Sequence, residues 1–323
     1  MVYLTGADVA QVSNRQQIPA VYNQFFGRAY LGAQPAPPPV AATPQPAPAP
    51  APAVQPAPPP APTPAPAAQP AASASTSANM VRIQGGTFTM GSPANEPQRG
   101  NNEIQHQVTV SSFYMGKYQV TQKEWYEVMG TNVRQQRDKV NPEGPMRGEG
   151  DNYPMYYVSW FEAVEYCNRR SQREGLTPAY TINGTNVTWN RNANGYRLPT
   201  EAQWEYACRA GTTTAYHTGA VISDNTGWYE ANSGRTTHPV GQKTANAWGL
   251  YDMHGNVLEW CYDLYGSYAS GAQTDPVGAS SGSNRVVRGG SWDASTQVVR
   301  SAHRGSLNPT YRNNSFGFRL VRP

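Results

Sequence analysis

RGGSWDASTQVVRSAHRGSLNPTYRNNSFGFRLVRP, residues 288–323, closes the chain, and two kinds of residue alternate in it. Arg288, Gly289, Gly290, Trp292, Arg300, Arg304, Pro309, Arg312, Gly317, Phe318 and Arg319 read as a frame. Between them lie small, polar and aromatic residues that follow neither the two-residue period of a strand nor the 3.6-residue period of a helix. Seven arginines fall between Arg285 and Arg322, opposed locally only by Asp293. The arginine fork suits carboxylates, so these arginines are expected to pair with acids elsewhere in the domain rather than to form an anion site.

Working back from this segment, residues 80–323 read as one domain. VRIQGGTFTMGS (81–92) alternates at Val81 and Ile83, then at Phe88 and Met90, which predicts a hairpin turning at Gly85-Gly86. Val108, Val110 and Phe113 mark further strand. Three helices open with one device: Thr121 with Glu124, Ser159 with Glu162 and Thr200 with Gln203 each form a capping box. Gly130, Gly175 and the region of Gly211 end them. The rest is short runs broken by Gly, Asn, Thr and Pro. The expected class is α+β, loop-rich, with short helices and small twisted sheets.

Upstream, residues 34–78 hold 17 of the 29 prolines, and no charge occurs between Arg28 and Arg82. Such a segment cannot bury enough apolar surface to fold, and its prolines make it a semi-rigid spacer reaching about 140 Å at most. Residues 1–33 carry a weak apolar pattern at Ile18, Val21, Tyr22, Phe25 and Phe26, enough for one short amphipathic helix of unread role. The domains expected are therefore 1–33, the spacer 34–79, and 80–323. No stretch reaches 18 apolar residues. Such a spacer suits holding a domain off a surface, so we expect a cell-surface or outer-membrane protein whose export signal and any membrane tether are not part of this sequence. A net charge of +4 does not point to nucleic acid. Cys167, Cys208 and Cys261 are odd in number, lack metal or disulfide spacing, and read as small buried hydrophobes. The five histidines show no metal spacing, and no nucleophile elbow, Walker or dinucleotide motif is present.

Seven stretches in order, GGTFTMGS (85–92), YQVTQKEW (118–125), PMYYVSWFEAVEYCN (154–168), YRLPTEAQWEYACRAG (196–211), NAWGLYDMHGNVLEW (246–260), RVVRGGSW (285–292) and GFRLVRP (317–323), resemble the formylglycine-generating-enzyme (sulfatase-modifying factor) domain. The resemblance implies an elaborated C-type-lectin-type fold across nearly all of residues 80–323. Within it, the closing segment is similar to the variable region of proteins diversified by retroelements. There a reverse transcriptase randomises template adenines, so Asn codons become any codon ending in a pyrimidine, and Lys, Glu, Gln, Met and Trp cannot arise. The scattered positions are Asp293, Ala294, Ser295, Val298, His303, Gly305, Ser306, Leu307, Asn308, Thr310, Tyr311, Asn313, Asn314, Ser315 and Phe316. None is a forbidden type; Gln297 departs from the rule and is set aside. Small, polar and aromatic residues of this kind resemble antibody loops.

Enzymes of the family use two cysteines in the stretch matching Asp293–Arg304, which has none here, so no catalytic residue and no copper are expected. The family's structural calcium would carry over to the side chains of Asp252 and Glu259 with the carbonyls of Gly255 and Val257, hard oxygens that suit that ion. The other reading of those residues has Asn256 capping a turn while Asp252 and Glu259 pair with framework arginines. Trp248 and Trp260 read as core. The resulting expectation is a surface-displayed binder of a macromolecule, a protein in preference to a small molecule, through residues 293–316. The alternatives are an enzyme on the same fold or a paralogue with one fixed partner.

Overall fold

The computed structural model describes residues 79–323. The expected segment 1–33 and the spacer, apart from Asn79, lie outside the described residues. The fold is α+β, with four short helices and twelve short strands among the described residues.

The domain begins with a bent ribbon. β1 (Met80–Ile83) pairs with β4 (Phe113–Gly116), and β2 (Gly86–Met90) pairs with β3 (His106–Val110), both antiparallel. The register is continuous across the two pairs, from Met80 opposite Gly116 to Met90 opposite His106. The expected hairpin turn at Gly85-Gly86 is therefore corrected: these glycines are the bend, and the turn lies beyond Met90. A Cβ on Gly85 would stand 2.6 Å from the Ser112 nitrogen, and the Ser112 hydroxyl accepts from the Gly85 N–H at 2.9 Å. The alternation of apolar residues marks the strands but is blind to this close approach of two backbones.

The helices form where their caps predict. α1 (Gln122–Met129), α3 (Trp160–Arg173) and α4 (Glu201–Arg209) carry the three reciprocal capping boxes. Gly130 ends α1 in the left-handed region; at α4 it is Ala210 that adopts it. A fourth box, Asn132 with Gln135, heads α2 (Val133–Asp138), a helix the sequence reading missed.

β7 (Leu258–Leu264) and β9 (Arg285–Arg288) are the inner strands of a four-stranded sheet. Its edges are β10 (Gly305–Leu307) and β11 (Phe316–Gly317), both from the closing segment. β8 (Gln273–Thr274) extends the β2–β3 pair, β5 (Tyr180–Asn183) and β6 (Asn186–Trp189) form a separate hairpin, and β12 (Val321–Arg322) returns to pair with β4. One core joins α1 and α3 to the four-stranded sheet: Trp125 stacks on Tyr166 at 5.6 Å, and Phe318 packs edge-on against Tyr166 at 5.1 Å. A second lies under α4 around Trp204, Cys208, Leu250, Cys261 and Val286. Trp260 is buried in the first core and Trp248 packs against the second.

The stretch from α4 to β7 has neither helix nor strand, so its order comes from buried polar pins. Asn246 donates to the Ala207 and Cys208 carbonyls at 2.7 and 3.2 Å, capping the last turn of α4. Asn256 accepts from the His238 N–H and donates to the His238 carbonyl, both at 3.0 Å.

Candidate functional site: the closing segment

After β9 the chain turns through Gly289 and Gly290, both at positive φ (92° and 69°). A Cβ on Gly290 would meet Val299 at 2.5 Å, so the turn demands glycine on two counts. The segment then loops to 304, returns as β10 along β9, and crosses to β11, which runs parallel to β7.

The frame arginines find the carboxylates the sequence reading expected. Arg288 meets Glu205 at 2.5 Å and Glu201 at 3.2 Å; Arg304 meets Glu201 at 2.6 Å. Arg300 meets Glu96 at 2.6 Å and Glu103 at 2.7 Å, Arg312 meets Glu162 at 2.8 Å, and Arg319 meets Glu259 at 2.9 Å. Burial alone would raise Glu103, but hydrogen bonds from Arg300, Ser92 and the Gly100 N–H hold it down at about 2. Arg285 and Arg322 depart from the expectation among the described residues: they lie over aromatic rings, Trp160 at 3.8 Å and Tyr114 at 5.6 Å. The acids come from a distant loop, from α3 and α4 and from β7, so the arginines were readable and their partners were not. Glu201 and Glu205, one helical turn apart on a fully buried helix, were the available signal.

Between these pins the scaffold grips main chain. The Trp160 N–H donates to the Pro309 carbonyl at 3.0 Å, Tyr157 N–H to Asn313 at 2.9 Å, Glu230 N–H to Ala294 at 3.0 Å and Leu258 N–H to Ser315 at 2.8 Å. Side chains do the same: Tyr216 hydroxyl to the Thr296 carbonyl at 2.8 Å, His254 Nδ1 to Val299 at 2.6 Å and Trp292 Nε1 to Asn314 at 3.2 Å. Every residue type presents a carbonyl, so these bonds are indifferent to what stands at each position.

Of the fifteen scattered positions, Asp293, Ser295, Asn308, Thr310 and Tyr311 are exposed. Val298, His303, Gly305, Ser306, Leu307, Asn313 and Asn314 are half-buried. Ala294, Ser315 and Phe316 are buried, so Phe316, counted among the ligand-binding positions, belongs to the core. Phe316 sits in β11, 5.9 Å from the Trp260 ring and 5.4 Å from Tyr311, because the sheet needs an inward residue there. His303 is pushed down to about 4 by burial and by Arg288 and Arg300, so it is neutral at pH 7. Asn308–Asn314 runs beside the α3 N-terminus and the loop at Pro145; Ser295–Val298 runs beside Gln98 and Ile222.

The three cysteines are free and buried, on α3, α4 and β7. Cys208 lies 3.6 Å from His254 Nε2. Burial pushes the thiol up to about 12 and the imidazole down to about 3, so the pair stays neutral and no thiolate–imidazolium nucleophile forms near pH 7.

The residues matching the calcium motif converge on one side chain. Gln119 Nε2 lies 3.2 Å from the carbonyls of Asp252 and Gly255, 2.9 Å from that of Val257 and 3.0 Å from Glu259 Oε1. An amide NH₂ has two protons, yet four oxygens surround it. Gln119 Oε1 and Asp252 Oδ1 are also buried without a partner. The cage holds more acceptors than donors, which is the imbalance a hard cation resolves, so the residues fit the family's ion. The other reading holds in part: Glu259 pairs with Arg319, and Asn256 ties down the loop. Asp252 has no arginine partner and accepts from the Gly241 N–H at 2.7 Å. Nothing in the spacing of YQVT marked Gln119 as the residue facing the motif.

Residues 65–323 match the sulfatase-modifying factor enzyme 1-like domain, and the chain belongs to that family. Chaperone protein LppX of Paenibacillus barcinonensis is 33% identical over 280 residues, covering 76% of this chain and 90% of LppX. The formylglycine-generating enzyme of Streptomyces coelicolor is 30% identical over 280 residues, covering 75% and 88%. Among solved structures, Treponema denticola variable protein 1 superposes with a TM-score of 0.65 at 32% identity, covering 76% of this chain and 95% of that one. The fold is thus the formylglycine-generating-enzyme type of C-type-lectin fold, shared by relatives named as enzymes and by one named as a variable protein.

Proposed function

We propose that this chain is a binding protein whose closing segment offers a changeable set of side chains on a fixed scaffold, diversified by a retroelement. The observation that carries the reading is how the segment is held. Its frame residues are pinned through buried arginine–carboxylate pairs, and its intervening residues through their carbonyls, so many side chains are free of structural duty. Similarity to Treponema denticola variable protein 1 supports the same reading. The ligand is a macromolecule, a protein in preference to nucleic acid, because twelve exposed or half-exposed positions spread over two runs suit a broad surface. The Pro/Ala-rich stretch before the domain suits display at the cell surface or outer membrane. Formylglycine chemistry has no counterpart, since Asp293–Arg304 lacks the two thiols and the three cysteines present are buried and neutral. A calcium ion held by Asp252, Gly255, Val257 and Glu259, with the Gln119 amide turned to present its oxygen, is the structural cofactor of this reading; it would tie the loop before β7 to the connection between β4 and α1.

Deep sequencing of codons 285–323 across a bacterial population tests the diversification. Variation is expected at Asp293, Ser295, Thr310, Tyr311 and their half-exposed neighbours, with Arg300, Pro309 and Gly317 fixed. An adjacent reverse-transcriptase gene with an Asn-rich near-copy of the segment is expected too. An invariant segment would return the chain to a fixed-partner or enzymatic role.

A further inference from the structure

Arg288, Arg300, Arg304, Arg312 and Arg319 of the closing segment each hold a carboxylate, although Arg288 and Arg300 keep a buried Nε without a partner; Arg147, on the loop before α3, holds none among the described residues. Its half-buried guanidinium lies over the Trp292 ring at 5.0 Å. Among the described residues no carboxylate pairs with Arg147 or with its exposed neighbour Arg235. Arg147 Nη1 reaches only the Arg235 carbonyl, at 3.4 Å, and its Nε is buried without an acceptor. The cation–ring contact holds the guanidinium beside Trp292 while leaving it short of hydrogen-bond partners.

Its position gives this meaning. Trp292 immediately precedes exposed Asp293, and its indole N–H donates to the carbonyl of Asn314, whose amide approaches Pro145 at 3.4 Å. Arg147 therefore stands where the two runs of the segment come together, yet it belongs to the scaffold. We infer that Arg147 is a fixed anchor for an acidic side chain of the partner protein, set beside residues that change. This rests on the reading of residues 293–316 as the ligand face. Exposed Glu143 and Glu149 lie on the same loop, and exposed Glu230 bonds to Ala294. A polyanion such as nucleic acid would meet these charges, whereas a single carboxylate needs only the fork. An anchor of this kind contributes affinity common to all versions of the segment and leaves discrimination to the variable side chains.

The test follows the Arg147 Nε–H and Trp292 indole N–H resonances of the ¹⁵N-labelled full chain. The probe is N-acetyl-glutamate N-methylamide, with its glutamine analogue and inorganic phosphate in parallel. Saturable shifts at both resonances are expected with the glutamate probe, none with the glutamine analogue, and weaker ones with phosphate. Arg147→Lys, which replaces a two-bond fork by a point charge, should weaken the probe roughly tenfold. Arg147→Ala moves the starting indole position, because the cation leaves the ring, and should abolish the probe-induced shift measured from that new position; Arg147→Lys keeps a cation and carries the test beside it. No saturable shift, equal shifts with glutamine, or an unchanged response in Arg147→Lys would overturn the anchor; tighter binding of phosphate would overturn the choice of carboxylate. The probe reads the anchor alone, so its failure would leave codon variation, and with it the ligand-face reading, standing.

Discussion

Arg300→Ala should open the frame at a buried pin. The Arg300 guanidinium binds both oxygens of Glu103, at 2.7 and 2.8 Å, Glu96 at 2.6 Å and the Gln98 carbonyl at 3.0 Å. Glu103 is fully buried. Without Arg300 it keeps only the Ser92 hydroxyl at 2.7 Å and the Gly100 N–H at 3.0 Å. Leaving one partner of a buried pair uncompensated costs about 3–5 kcal/mol. For a domain of this size that is a fall in melting temperature on the order of 6–20 °C. The pH dependence is the sharper test. In the wild type Glu103 is held at about 2, below its ordinary 4.5, so its contribution is present above pH 4.5 and lost as pH falls toward 2. In the variant burial, the largest influence, is opposed only by the Ser92 and Gly100 hydrogen bonds and lifts the carboxyl well above its wild-type position. Its penalty is then present at neutral pH and relieved on acidification. Melting curves of both proteins between pH 7 and pH 4 should converge as pH falls. A variant that melts within about 1 °C of wild type at pH 7, or a gap that does not narrow, would refute the clamp.

Three further outcomes are expected. Phe316→Ala should cost about 3–5 kcal/mol in chemical denaturation, as a buried aromatic does, while Tyr311→Ala stays within roughly 0.5 kcal/mol; equal losses would remove the distinction between core and face. Millimolar calcium should raise the melting temperature and a chelator lower it, with Gln119→Leu blunting the response; a melting point blind to both would leave the oxygen cage without an ion. Burial is outweighed at Glu162 by Arg312 and Lys139, which hold it at about 2, so Glu162→Gln should destabilise at pH 7 and converge on wild type as pH falls from 4.5 toward 2, read by the same melting curves.

The elements with local causes were legible. Hydroxyl-x-x-Glu/Gln boxes placed three helices because the cap is closed within four residues. The arginines of the closing segment announced ion pairs because their charge had no local answer. The bend at Gly85 was not legible, since the same glycines serve a turn or a close approach, and only the distant Ser112 decides between them. Phe316 was misplaced for a related reason. It lies in a two-residue strand, too short for its alternation to declare which face is inward. Gln119 was silent because the oxygens that surround it come from residues more than a hundred positions away.

The sheet of β1 and β4 is completed by a strand of the closing segment. β12 lies against β4, its Val321 opposite Met115, and the path to it crosses the four-stranded sheet from the β10 edge to the β11 edge. A version of the segment that cannot complete the path leaves Tyr114 and Met115 on an open strand edge, a site for mispairing and for proteolysis. On the proposed reading, a segment sequence that does not fit the scaffold would fail to place β12 and would be lost to misfolding.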